Sequence, residues 1–411
     1  MMIKSGAIDQ INLITIFLMV IWKPFGTYIL RMSGHTMIIV ILSVMVLAIN
    51  LSENSKNIKQ ILSFGPTKIW TILMIYSIAN SHIKGFSSDG FAVGGAISFF
   101  LVNYIMPFIL LLLCLLELRS ERKRCLDVLM ASSFIFVLIT VMNSTIGSDI
   151  RYDDEAIEIG NLLPLTAVSL LYILMTQYVD GYKNIFYIVA GLVLCTYLVY
   201  ATTTRSAFGA EAILTVGMAL FYMKEKSAKS KVYFILLGVI AFFAMSYFFG
   251  EGSAMAERID REEDRGIVLV RNNDLNNFLV KLLGVRAEHL LLGLDTVPLY
   301  YPITGIGILN FMEVTGYHHR LHMEYIVQLC ENGIIGFVLL MIMYIKMGSG
   351  LKKILKNNNG GYVHIFGFIT LLFLNLSTWT YCLFFAMIFY AVILDSISRE
   401  SIINLEKFDH N

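Results

Sequence analysis

The chain has 411 residues, of which 57% are apolar and only 15% charged, where soluble domains hold roughly 45–50% and ~25%. That composition excludes an ordinary soluble enzyme and supplies about 234 apolar residues, enough for about twelve membrane spans of ~20 residues each. Lys+Arg 31 against Asp+Glu 30, a net charge of +1, leaves no basic surface that would attract nucleic acid.

Apolar runs of span length predict an all-α polytopic membrane protein of about 12 transmembrane helices. In chain order they cover 11–30, 36–51, 68–83, 92–118, 125–145, 161–178, 184–201, 207–223, 232–250, 324–346, 361–377 and 380–397. The first lacks a small-residue cleavage site after it and reads as a retained span. The third is the weakest, because Ser77, Asn80 and Ser81 dilute it. The five cysteines (Cys114, Cys125, Cys195, Cys330, Cys382) lie in or beside apolar runs without a CxxC spacing, which argues against a disulfide framework or a thiolate metal site. No internal repeat of the kind that builds transporters from two halves is visible.

With the N-terminus in the cytoplasm, the inner segments carry nineteen Lys and Arg. The five short outer loops carry only Arg31, Lys84, Arg151 and Arg205. The positive-inside bias therefore places both termini in the cytoplasm. The chain divides into spans one to nine (1–250), one large periplasmic loop (251–323), and spans ten to twelve with a cytoplasmic tail (324–411). A loop that long is usually functional or structured. It opens on a mixed-charge stretch, Arg258 to Arg265. Its middle, Asn277 to Leu294, has the apolar pattern of a helix lying on the membrane surface or re-entering it.

No Walker A, strand-associated GxGxxG, GxSxG or HExxH occurs, so a soluble-type catalytic site is excluded. What remains is polar residues where a membrane makes them expensive. Arg205 closes the turn Thr202-Thr203-Thr204-Arg205-Ser206, and Glu211 lies six residues further on. Arg205 could equally be an interfacial Arg that snorkels to headgroups. Glu211 could pair with it or sit in a polar cavity. Arg286 lies in the apolar part of the large loop, where a lipid headgroup contact is the plainer reading, and Gly305-Ile306-Gly307 near the loop's end reads as a turn.

The most distinctive stretch is Tyr317-His318-His319-Arg320-Leu321-His322-Met323-Glu324-Tyr325, followed by Glu331-Asn332-Gly333 and Gly336. His318 and His322 have i, i+4 spacing, but no third ligand completes a metal site. On a continuous helix Gly333 falls within roughly 20° of the face of His322 and ~16 Å deeper, and Gly336 within about 40°. That phase predicts a groove floored by small residues below His322, open to a neighbouring helix or a lipid chain. Glu331 falls on the opposite face.

These residues resemble a known family. An Arg in a Thr/Ser-rich turn between spans (Arg205), an Arg in a long outer loop (Arg286), a GxG near its end (Gly305, Gly307), and His-x₁₀-Gly-x-x-Gly (His322, Gly333, Gly336) entering the next span resemble the bacterial O-antigen polymerase and O-antigen ligase family. The resemblance covers mainly residues 200–340. Met323 stands where the family usually has a small polar residue and Thr204 where it usually has Ser; the first favours the polymerase branch.

The resemblance implies a glycosyltransferase C-type, metal-independent enzyme of the bacterial inner membrane, without a cofactor, acting at the periplasmic face in lipopolysaccharide biosynthesis. It implies an undecaprenyl-diphosphate-linked oligosaccharide as both donor and acceptor, membrane lipid around it, and a chain-length regulator protein as a partner. His322 would be the catalytic base; Arg205, Arg286 and Arg320 would bind the diphosphate; Glu211, Tyr325, Gly333 and Gly336 would support the site. The physical chemistry agrees, since guanidinium forks match diphosphate oxygens and imidazole titrates nearest neutral pH. A ligase that passes the glycan to lipid A–core would use the same donor and charges. A flippase or secondary transporter would instead place its charges near the bilayer midplane.

Overall fold

The computed structural model describes residues 5–30, 35–85, 99–143, 154–202, 204–225, 293–295, 302–308, 310–311, 314, 323–357, 360–376 and 383–409. Among them there is helix and no strand. The helices are α1 (Ser5–Pro24, continued by a π turn, Phe25–Leu30), α2 (His35–Glu53), α3 (Ser55–Ser63) and α4 (Gly65–Lys84). A π turn (Leu101–Ile105) leads into α5 (Met106–Asn143). Then follow α6 (Asp154–Val179), α7 (Ile185–Thr202), α8 (Arg205–Glu225), α9 (Glu324–Asn357), α10 (Gly361–Leu374) and α11 (Phe384–Asp409).

Seven helices among the described residues are long and apolar enough to cross a membrane, or eight if the pair α3 and α4, bent by 89°, is one span. The chain is a polytopic membrane protein. All but one of the predicted spans fall wholly or partly on described helix; span 232–250 lies outside the described residues. So does the large loop, apart from 293–295, parts of 302–314 and Met323, and with it most of the expected surface helix from Asn277 to Leu294.

Two helices are not the continuous rods their length suggests. The run Leu101–Asn143 is 43 residues, roughly 64 Å at 1.5 Å per residue, far beyond the ~30 Å of a bilayer core. It breaks at Glu121 (φ −137°, ψ 71°) and folds back, so that Cys125 Sγ lies 3.9 Å from the Cys114 carbonyl oxygen. A straight helix would separate them by ~16 Å. The basic cluster Arg119 to Arg124 therefore marks a turn between two predicted spans. The second broken helix is α9, interrupted at Gly333 (φ 64°, ψ −165°).

Packing uses two devices suited to lipid, where apolar surface alone gives helices no reason to associate. Glycines let helices approach closely: Gly209 faces the Phe373 ring, Gly217 faces Phe366, and Gly367 faces Tyr172. Buried polar groups then tie the helices. Asn12 donates to Glu117 Oε1 at 2.8 Å and pairs reciprocally with Asn50, joining α1, α2 and α5. Arg122 donates to Asp180 at 2.7 Å and to the fully buried Asp395, which Arg399 also reaches at 2.9 Å. Beside them His364 sits between the Tyr172 hydroxyl (3.1 Å) and the Ser396 hydroxyl (3.2 Å), with Tyr172 stacked on Phe389. These ionic contacts gather at one end of the bundle, here the basic end. The tail of the long loop docks at the other, the loop end.

Candidate functional site

The site starts from a broken helix. At Gly333 the backbone takes a conformation open essentially to Gly alone, which interrupts the hydrogen-bond ladder of α9 and frees peptide groups inside the bundle. Such groups need partners in an apolar medium, and the tail of the long loop supplies them. Ile306 N–H donates to the Cys330 carbonyl (2.9 Å) and Gly307 N–H to the Glu331 carbonyl (2.8 Å). In return Ile334 N–H donates to the Pro302 carbonyl (2.9 Å) and Ile335 N–H to the Ile303 carbonyl (3.3 Å).

This mutual pairing explains the glycines. The GxG expected as a turn has left-handed backbone at both glycines, Gly305 (φ 74°) and Gly307 (φ 85°). A Cβ on Gly305 would meet the Glu331 carbonyl and Gly333 N at 2.4 Å, and a Cβ on Gly333 would meet Gly305 N and the Ile303 carbonyl oxygen at 2.4 Å. The two backbones touch without room for a side chain.

Helix α4 closes the junction from a third direction. Asn80 Nδ2 donates to the Thr304 carbonyl (2.7 Å) and the Glu331 carbonyl (3.1 Å). The Tyr76 hydroxyl reaches the Asn332 carbonyl (3.2 Å) and the Thr304 carbonyl (3.4 Å). Ser81 Oγ accepts from Ile308 N–H (2.8 Å), and Asn310 Nδ2 donates to the Gly85 carbonyl (3.0 Å). A small apolar cluster seals the same contact: Ile306 and Phe311 of the tail pack with Met323, Ile326, Val327 and Cys330 of the α9 segment.

Along the first part of α9 runs a buried polar ladder at i, i+4 spacing. Asn332 Nδ2 donates to Gln328 Oε1 and Gln328 Nε2 to Glu324 Oε1, both at 2.9 Å, with all three side chains nearly inaccessible. The head of α9 is fixed to the end of α10. Glu324 N–H donates to the Asn375 carbonyl (2.9 Å), and the Tyr325 hydroxyl to the Leu372 carbonyl (3.2 Å). Asn375 Nδ2 in turn reaches the Tyr344 hydroxyl (2.6 Å).

Helix α8 completes this end. It begins at Arg205, and Gly209 lies against Phe373, one residue before the end of α10. The structure thus brings the start of α8, the end of α10, the head of α9 and the loop tail to one end of the bundle. Glu211 is buried two turns into α8. Its Oε1 accepts from the Thr196 hydroxyl, and the Cys195 thiol lies beside the carboxyl group.

Of the residues singled out in the sequence, Glu211, Tyr325, Gly333 and Gly336 are described, as is the backbone of Arg205. His322, Arg286 and Arg320 lie outside the described residues, as do His318 and His319. Met323, directly after His322, is buried in the apolar cluster and so has a packing role at that position. Among the described residues no three His, Cys, Asp or Glu side chains converge as a metal site would need.

One expectation changes. The helical phase from His322 to Gly333 and Gly336 assumed an unbroken helix, and the break at Gly333 ends that phase at residue 332. The small residues do not floor an open groove: Gly333 is covered by the loop tail, and Gly336 faces the Asn332 side chain. Sequence reasoning also missed Tyr76, Asn80, Ser81, Gln328, Asn332 and Asn375. A signal existed for some of them, since Ser77, Asn80 and Ser81 were the residues diluting the third span, and Glu324, Gln328 and Asn332 share one helical stripe.

Residues 190–341 match the family model described as O-antigen ligase. The matched stretch runs from α7 through the loop to the part of α9 just beyond the break. No curated relative matches the chain.

Proposed function

We propose that this chain, a member of the O-antigen polymerase and ligase family, is a membrane-embedded glycosyltransferase that joins repeat units carried on undecaprenyl diphosphate. The observation that carries the reading is the family match over 190–341, which contains the turn arginine, the loop arginine, the GxG and the His322 to Gly336 stretch. In this reading the active site lies at the loop end, facing the periplasm, in the inner membrane of a bacterium.

The chemistry needs three things. Positive charge must hold the donor diphosphate, and Arg205, Arg286 and Arg320 supply it as always-ionised forks, without calling on a metal. A base must take the proton of the attacking sugar hydroxyl, and His322 does so at neutral pH. The reacting atoms must be held in line, which is the task of the stitched loop end. The hydroxyl oxygen attacks the anomeric carbon, that carbon's bond to the diphosphate oxygen breaks, and undecaprenyl diphosphate leaves with the bonding pair. The anomeric centre inverts. No cofactor enters, and a chain-length regulator is the partner expected to set product size.

The description of the matched model favours a second reading, a ligase that passes the glycan to lipid A–core. One assay separates them. Purified protein is given a synthetic lipid-linked repeat unit, alone and with lipid A–core, and products are resolved by size. The polymerase forms a ladder without lipid A–core; the ligase forms product only with it. His322→Ala should lower the rate by about 10²–10⁴, the usual worth of a positioned base, with donor binding kept. Wild-type protein that forms product with neither acceptor would overturn the transferase reading, and a His322→Ala protein working at near wild-type rate would remove the base from the mechanism.

A further inference from the structure

The weakest apolar span carries the polar residues that hold the site's architecture. Asn80 is buried in a helix that also exposes Ile75 and Ile83, and an unused buried amide would cost free energy. Its Nδ2 spends both hydrogens on two carbonyls from different parts of the chain, Thr304 of the loop tail and Glu331 of α9. Tyr76, one turn earlier, bridges the same pair of segments through the Thr304 and Asn332 carbonyls. Ser81 takes the Ile308 N–H. All three side chains meet backbone groups at the break and the GxG turn; the Glu331 carbonyl accepts from both Asn80 and Gly307 N–H. Ser81 also donates to the Ser77 carbonyl within α4 (2.8 Å), while Asn80 and Tyr76 reach outside their own helix.

The geometry points to Tyr76, Asn80 and Ser81 as positioning residues: a three-point dock on α4 that fixes the tail of the large loop to the broken helix. Resting on the outer-face transferase reading, the dock sets the distance between the loop and the head of α9, where His322 immediately precedes Met323. None of the three touches substrate. They act through the backbone of Thr304, Ile308, Glu331 and Asn332.

The test separates docking from chemistry. Asn80→Leu keeps the volume and removes both donors; Tyr76→Phe removes one hydroxyl and serves if the first variant folds poorly. Hydrogen exchange on the purified full-length protein reads the dock directly through the amides of Ile306, Gly307, Ile308, Ile334 and Ile335. Their exchange should speed up about tenfold or more in each variant, the effect of losing roughly one buried hydrogen bond, while α5 and α6 stay unchanged. With the lipid-linked repeat unit as substrate, kcat should fall about tenfold or more, as expected for a small misplacement of reacting groups, and the donor KM should move far less. Exchange unchanged in both variants would overturn the dock. Faster exchange with full kcat would overturn the positioning role. If wild-type protein transfers no sugar, the transferase reading fails, and the exchange measurement still judges the dock alone.

Discussion

Gly333 shows what one residue decides. Its φ of 64° with ψ of −165° lies where a side chain is strained by about 1–3 kcal/mol, and a Cβ there would press on Gly305 N and the Ile303 carbonyl at 2.4 Å. Gly333→Ala should therefore lower the thermal unfolding midpoint and loosen the loop tail. Gly6→Ala, with nothing within 4 Å of the added carbon, should leave the midpoint unchanged. Equal midpoints for both variants would mean that α9 is not broken there. The sequence identified Gly333 as notable and the GxG as a turn. It placed Gly333 on the floor of a groove, because the surrounding apolar run was read as regular helix and the Asn332-Gly333 turn signal was passed over. What lies opposite a glycine depends on a segment thirty residues away.

At the scale of elements, apolar runs were legible as helices, seven or eight of which are long and apolar enough to cross a membrane among the described residues, because membrane thickness imposes run length directly on composition. The breaks were not. The turn at Glu121 could be inferred from the charge cluster between two apolar runs, whereas the Asn332-Gly333 dipeptide, a turn signal, was read as part of a continuous helix. Nor was the pairing of helices legible, since it depends on which buried polar groups meet. Asp395 illustrates this: its Oδ2 serves both Arg122 and Arg399, joining α5 to α11, while Arg122 also holds Asp180 beyond the end of α6. Removing one partner of a buried ion pair typically costs about 3–5 kcal/mol, so Asp395→Ala should lower thermal stability sharply. Glu121→Ala breaks only the half-exposed pair with Arg124 at 3.3 Å, a contact of the kind worth about 0–1 kcal/mol, and should be nearly silent. Equal losses in thermal unfolding would show that the Asp395 cluster does not tie the helices.

For the whole molecule, the structure separates two ends with different chemistry. The basic end holds Arg122 and Arg399 with their acidic partners Asp180 and Asp395, and Arg119, which donates to the Ser398 hydroxyl. The loop end holds the stitched break, the head of α9 and the start of α8. The charge asymmetry of the connections is the ground on which we propose a cytoplasmic basic end and a periplasmic loop end. The family reading requires the same assignment, because its donor is presented outside. Which face carries the site is therefore the point on which topology and chemistry stand together. It is tested by single cysteines at Ser253, in the large loop, and Ser227, after α8, in a protein lacking its native cysteines. A membrane-impermeant thiol reagent applied to intact spheroplasts should label Ser253→Cys and leave Ser227→Cys unmodified until the membrane is opened. Labelling of Ser227→Cys in intact spheroplasts, with Ser253→Cys protected, would put the loop end in the cytoplasm and contradict the account.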